Sequence, residues 1–309
     1  MSQGGAFLFL GSFLMNQGKL SYPLKKPTTY KQQIERLISR GVIIHDSDNA
    51  ISVLKRISYY RLTAYGLSIK KDSDQYIPNT TFEHIYRLYE FDSKLRVLLL
   101  SISEYVEISF RTHLIYDLAH NYGELGYRER TNFNSINHSS FLEKLDKLLA
   151  DAKELFISHH KNKYSGQFPI WAAFEVITFG MLSTLFKSLK TTDKKRIAKN
   201  YYNVSYYNKI PTWLHSISVL RNRCAHYNRI YNKTLTIAPS LPDESNHLKI
   251  DNNQLFAIIY ILKKLITDRS EWNSWVTQLE ALIEAYPEVE LKLIGFKENW
   301  VEILRNNEL

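Results

Sequence analysis

Apolar residues along this chain recur at helical intervals, and clusters of turn-forming residues separate the repeats. Pro27-Thr28-Thr29 opens a first amphipathic segment from Tyr30 to Ser39, which Gly41 stops. After Val42-Ile43-Ile44, Asp46-Ser47-Asp48 caps a second segment, roughly Asn49 to Tyr60. Asp72 to Thr81 is a polar connector. Thr81 then caps a long helix from Phe82 to about Asn121. Its stripe is Ile85, Leu88, Leu95, Leu98, Leu99, Ile102, Val106 and Phe110, and Glu104, Glu107 and Arg111 form the opposite face. Gly123 and Gly126 end it, and Asn134 to Ser139 is a loop.

The second half repeats the pattern. Phe141 to about His160 is one helix, and Ser165-Gly166-Gln167-Phe168-Pro169 breaks the chain after it. Trp171 to Leu189 is apolar enough to be a buried helix, with Gly180 inside. Thr191 to Lys199 is short and basic, and a Tyr/Asn-rich loop follows. Trp213 to Tyr231 has neither proline nor glycine, and its apolar residues fit a helix beginning near Thr212. Leu235 to Leu248 is a loop, and Asn253 to Thr267, Glu271 to Ala285 and Glu298 to Leu304 finish the chain as helices. No stretch alternates convincingly like a hairpin, so the fold class is all-α. The plan divides into an N-terminal extension (1–26), a small helical unit (27–70), a larger helical domain (81–267) and a C-terminal helical extension (268–309).

Composition narrows the setting. With 44% hydrophobic residues and only 11 Gly and 8 Pro in 309 residues, the chain can bury a substantial core. Its single cysteine, Cys224, excludes internal disulfides and a cysteine-based zinc site, and fits a reducing cytoplasm. Ala6 to Leu14 is apolar, but it is too short to span a bilayer and no basic residue precedes it. Residues 1–14 therefore read as an upstream extension without defined structure, and no membrane association is expected.

Charge changes the picture more. Lysines and arginines number 40 against 31 aspartates and glutamates, a formal +9. Between Lys194 and Pro242 lie Lys194, Lys195, Arg196, Lys199, Lys209, Arg221, Arg223, Arg229 and Lys233, with no acid among them. Setting those nine aside leaves 31 basic residues against 31 acidic, so the net charge sits in this one stretch. A concentrated basic segment suits a polyanion. Tyr201, Tyr202, Tyr206, Tyr207, Trp213, Tyr227 and Tyr231 fall in the same window, and rings beside cations suit unpaired bases. A solvated basic face and a set of half-buried core tyrosines are the plainer readings.

Inside that window stands Arg221-Asn222-Arg223-Cys224-Ala225-His226. At about 100° per residue, Asn222 and His226 share a helix face, and the long Arg221 side chain can swing toward it. An imidazole, a permanent cation and an amide are the groups needed to cleave RNA by attack of its own 2′-hydroxyl. One group moves a proton near neutral pH and another holds the developing phosphorane charge. The R-x4-H spacing alone also fits a helix end closed by a histidine that satisfies the dipole. Cys224 beside two arginines is a candidate for a lowered pKa, though a thiol nucleophile leaves Arg221 without a role. Glu107 and Arg111 read as an intrahelical pair in which Glu107 orients Arg221 if the two helices pack together. His159 and His160 point apart on a helix, no metal site is evident, and no glycine-rich phosphate loop occurs. No cofactor is expected.

The sequence also resembles the Abi-like family of bacterial abortive-infection proteins, the AbiD/AbiF group, whose core is a HEPN domain. The matching pieces are Leu37-Ile38-Ser39-Arg40-Gly41-Val42, Ile57-Ser58-Tyr59-Tyr60-Arg61-Leu62 and Phe91-Asp92-Ser93-Lys94-Leu95-Arg96. Further along come Glu107-Ile108-Ser109-Phe110-Arg111-Thr112, Pro169-Ile170-Trp171 with Glu175 and Phe179-Gly180, and Leu220 through His226. The resemblance implies a HEPN-type helical bundle over 81–267 and a metal-independent endoribonuclease. It makes Arg221 and His226 the catalytic pair, with Asn222 as the motif asparagine. It also implies a homodimer that brings two motifs into one composite site. HEPN toxins silenced by nucleotidyltransferases tend to carry a tyrosine two residues after the histidine. Here Asn228 holds that position and the tyrosine is Tyr227, which argues against that route of control. Relatives of the AbiF type are thought to pair with a structured non-coding RNA, for which residues 27–66 would be a natural site.

Three readings follow. The first is an RNA-cleaving defence toxin with Arg221, Asn222 and His226 as its chemistry. Lys194, Lys195, Arg196, Lys199, Lys209, Arg223, Tyr227 and Arg229 would then contact RNA. The second is a non-catalytic RNA-binding protein that senses or sequesters RNA, and only the first needs His226 to titrate. The third is a structural all-α interaction protein, which the segregated charge disfavours.

Overall fold

Thr81 and Gly123 delimit the element that organises the rest of the chain. Thr81 Oγ1 accepts from His84 N and Gly123 closes at φ 78, which leaves a helix of 41 residues, Phe82–Tyr122. At 1.5 Å per residue it is about 60 Å long. In the computed structural model, residues 24–71, 74–134 and 138–306 are described. The expectation for the N-terminal extension falls largely outside them.

Three short helices precede the long one. α1 (Tyr30–Ser39) begins at a capping box between Thr29 and Gln32, and α2 (Ser47–Arg56) begins where Asp46 accepts from Asn49 N. The second helix expected to reach Tyr60 stops earlier. Ile57 turns extended, and Ser58 caps a new turn, α3 (Tyr59–Thr63). A 3-10 turn over Tyr65–Ile69 leads on toward the long helix, α4 (Phe82–Tyr122). α4 buries residues on several sides because α3 and several helices from later in the chain pack against it.

Two expected helices are each divided. Phe141 to His160 is α5 (His138–Asp151) followed by α6 (Leu155–Lys163). Glu154 is extended, and its carbonyl starts the second helix by accepting from Ile157 N and Ser158 N. Trp171 to Leu189 is α7 (Ile170–Ala173), a 3-10 turn and α8 (Phe179–Ser188). There Ile177 is extended and Thr178 caps the next helix by accepting from Met181 N. The break frees the Ile177 carbonyl for a partner in another helix.

α9 (Thr191–Tyr202) runs further than its basic half suggested and ends at Asn203 in the left-handed region. α10 (Ile210–Ala225), with Pro211 in its first turn, packs on both α4 and α8. α11 (Leu255–Leu265) is buried almost all round. α12 (Arg269–Glu284) ties to α4 through Trp275 Nε1, which donates to Leu98 O at 2.8 Å. α13 (Trp300–Arg305) receives the Trp272 indole N–H on Leu304 O.

The fold is all-α. Among the described residues the only β pairing is isolated bridges, such as Ile43 with Thr81. Buried apolar residues from Ile34 to Leu304 join in one cluster that includes the N-terminal helices. Among the described residues, no helix is long and apolar enough to cross a membrane.

Candidate active site

α10 ends one residue before His226, and the way it ends sets the site. His226 N donates to Asn222 O at 2.9 Å, Tyr227 N to Cys224 O at 3.0 Å, and Asn228 N to Arg223 O at 2.9 Å. This is the Schellman pattern, whose reversal point normally holds glycine. Here the reversal point is Tyr227, at φ 59. A side chain in the left-handed region costs about 1 kcal/mol relative to glycine. The expectation that helix continues to Tyr231 is therefore corrected: residues 226–231 turn back across the end of α10.

The turned-back segment is fastened to α4 by Asp92. Asp92 Oδ1 accepts from Ile230 N at 3.0 Å and Tyr231 N at 2.7 Å. Oδ2 accepts from the Tyr65 hydroxyl at 2.6 Å and pairs with Arg96 one turn along. Burial pushes the Asp92 carboxyl up, while Arg96 and the three hydrogen bonds pull it the other way. Burial, reinforced by Asp92, raises the Tyr65 hydroxyl in turn.

Arg221 and Asn222 touch in the last turns of α10, and His226 closes the helix after them. Arg221 Nη1 donates to Asn222 Oδ1 at 3.1 Å, and its Nη2 lies 3.4 Å from Glu107 Oε2 on α4. The other Glu107 oxygen accepts from Arg111 Nη2 at 2.8 Å, and the same nitrogen donates to Ile177 O at 3.1 Å. A buried carboxylate thus links a half-buried arginine to a more accessible one, and the break before α8 supplies the backbone acceptor at its far end. Glu104, placed by its spacing on the same face, is exposed, whereas Glu107 is buried. Neither the His226 ring nor the Arg223 guanidinium has a hydrogen-bond partner among the described residues, and His226 and Asn222 are exposed.

Cys224 points the other way. Burial, with Asp92 nearby, pushes its thiol up to about 12, so a reactive thiolate is not formed near neutral pH. Among the described residues, no group of three or more His, Cys, Asp or Glu side chains is arranged to hold a metal ion.

The basic stretch is not one surface. Arg196 grips Asp117 with two nitrogens, at 2.9 and 2.6 Å, and pairs with Asp193 at 2.8 Å. Lys209 donates to Asp243 at 2.6 Å and Leu241 O at 2.7 Å, and Lys194 to Lys187 O at 2.5 Å. Arg229 caps Ala64 O and stands 5.8 Å from the centre of the Tyr65 ring. The acid-free window is bounded by Asp193 and Asp243, and these flanking acids are the partners of Arg196 and Lys209. Lys195 and Lys199 remain exposed, beside an open cavity of about 390 Å³ shared with Asn203 and Tyr207. Asp117, which anchors Arg196, lies about 15 Å farther along α4 than Glu107. Of the aromatics, Tyr202, Trp213 and Tyr231 are core, whereas Tyr227 is 68% exposed next to His226.

Sequence reasoning overlooked Arg61. From α3 its Nη1 donates to Tyr227 O at 2.6 Å, so the N-terminal helices touch the motif loop directly. Nothing in the local pattern of Ser58 to Arg61 signals a partner so far along the chain. Asp92 and Arg96 did carry a signal, an acid and a base one turn apart within an apolar helix stripe.

A family model described as Abi-like protein matches residues 52–232. That span takes in Arg61, Asp92, Glu107, the end of α10 and the strap through Tyr231. No curated protein and no solved structure gives a match.

Proposed function

The chain belongs to the Abi-like protein family, and from that premise we propose that it is an abortive-infection effector that cleaves RNA without a metal ion, using Arg221, Asn222 and His226. The observation that carries this reading is the accessible helix end. There an imidazole with no hydrogen-bond partner among the described residues closes the helix that, five residues earlier, carries a guanidinium paired with Glu107. Imidazole is the side chain whose ordinary pKa suits proton transfer near neutrality, and a guanidinium offers two parallel donors to phosphate oxygens. In the reaction the ribose 2′-oxygen bonds to phosphorus as the bond from phosphorus to the 5′-oxygen breaks. His226 takes the 2′-hydroxyl proton, Arg221 neutralises the phosphorane, and the leaving 5′-oxygen gains a proton.

We further propose that two copies pair so that their motifs face one another, as in a HEPN-type dimer. The second imidazole can then protonate the leaving oxygen. Ile108, next to Glu107 on α4 and 52% exposed, offers that pairing an apolar contact. A structured non-coding RNA is the proposed controlling partner, with Lys195 and Lys199 among its contacts.

Cleavage in EDTA should leave 2′,3′-cyclic phosphate and 5′-hydroxyl ends, and a 2′-deoxy residue at the scissile position should block it. His226→Ala and Arg221→Lys should both abolish cutting. Wild-type cutting by His226→Ala, or loss of activity on chelation, overturns the mechanism. Binding of RNA without any cleavage makes the chain a non-catalytic RNA-binding protein.

A further inference from the structure

Tyr227 occupies a position that favours glycine, yet among the described residues its ring makes no hydrogen bond or ring contact. The two hydrogen bonds of the reversal are made by backbone, and the side chain is 68% exposed rather than packed. A strained residue whose side chain adds nothing to packing points to use outside the fold. Its carbonyl is held by Arg61 at 2.6 Å, which fixes the peptide and hence the direction in which the side chain leaves the backbone. Arg229, two residues on, is bonded back to Ala64 O, so the contact between α3 and this loop is made twice, once from each side. Arg61 is itself exposed, and only one of its five N–H groups goes to Tyr227. Tyr60, its neighbour in α3, is 82% exposed.

We propose that Tyr227 is a nucleobase platform beside His226, and that Arg61 both sets its orientation and receives the phosphate of the stacked nucleotide. The small N-terminal unit thereby forms part of the substrate site, which takes single-stranded RNA with an unpaired base next to the scissile phosphate. This rests on the ribonuclease reading and adds its specificity-determining residues. A duplex cannot present such a base without unstacking it, so single strands and loops are the substrates.

The test uses the full-length protein and short 2′-O-methyl oligoribonucleotides, each carrying one 2-aminopurine. Methylation blocks the nucleophile, so binding is read apart from chemistry. Tyr227→Gly should raise Tm, because glycine relieves the left-handed residue, while weakening binding about 10-fold and removing the fluorescence quench that stacking causes. Tyr227→Phe keeps a ring and should retain most of the quench. Arg61→Ala should lower both quench and affinity, with Arg61→Lys restoring affinity better than quench, since an ammonium supplies charge but orients the carbonyl less well. Unchanged affinity and quench in Tyr227→Gly overturns the platform, as does a Tm that falls. The ribonuclease reading survives either result if His226→Ala still abolishes cutting of ordinary RNA. Wild-type protein that neither binds nor cuts RNA removes both.

Discussion

Glu107 Oε2 stands 3.4 Å from Arg221 Nη2, while Glu107 Oε1 holds Arg111 at 2.8 Å. One buried carboxylate therefore aims an accessible cation and is itself aimed by a half-buried one. Glu107→Gln keeps the shape and removes the charge. It should lower cleavage about 10-fold, the worth of roughly 1.5 kcal/mol in a charged contact, with little change in Tm. Cleavage rate and thermal unfolding measured side by side check this; an unchanged rate removes Glu107 from the site.

Asp92 fastens the residues after the motif. Asp92→Ala strands Arg96 and frees the N–H groups of Ile230 and Tyr231, and should cost about 3–5 kcal/mol. Asp92→Asn keeps acceptors and should cost less. Urea unfolding ranks the two, and amide exchange should show the protection lost first at Ile230 and Tyr231.

The lysines and arginines of the basic stretch should separate into two kinds. Arg196→Glu opposes Asp117 and Asp193 and should lower stability by about 2 kcal/mol or more. Lys195→Glu with Lys199→Glu should leave Tm unchanged and weaken RNA binding, with a shallower dependence on salt than wild type. Equal effects of both changes on stability would contradict the pairing described for Arg196.

Lys263 in α11 is buried and donates to Ile303 O at 2.6 Å, and burial pulls its ammonium from 10.5 down to about 8. Below pH 8 both folded and unfolded chains carry this proton, and the folded state bears the full cost of burying the charge. As pH rises from 8 toward 10.5 the folded chain releases it first, so stability gains. Wild type should therefore gain Tm relative to Lys263→Met across that window. A constant difference between the two would show that burial does not lower the ammonium's pKa.

Helices with local caps were legible in the sequence. α1 and α4 begin where Thr29 and Thr81 stand, because a cap and the first turn it serves lie within a few residues. The breaks at Glu154 and Ile177 were not. At Ile177 the apolar spacing carries through, and the carbonyl freed by the break finds its partner in Arg111 on α4 rather than in its own helix. The R-x4-H spacing pointed to the Arg221 end of α10, but His226 caps the helix instead of lying on its face. Net charge misled for a related reason. A window chosen for lacking acids ends at the acids it pairs with, so Asp193 and Asp243 were counted outside the stretch they neutralise. Arg61 was invisible because its partner is a carbonyl, which no residue type announces.

Asp92, Glu107 and Asp117 sit on one uninterrupted helix, and each reaches a different part of the chain: the strap after the motif, the motif arginine, and α9. A residue inserted between Asp92 and Glu107 would turn every later side chain by about 100° and advance it about 1.5 Å. Glu107 and Asp117 would then be carried away from Arg221 and Arg196 together. Length variation among homologues should therefore collect in the connectors flanking α4 and avoid its interior. Between Asp92 and Asp117, the tolerated variants should be substitutions alone.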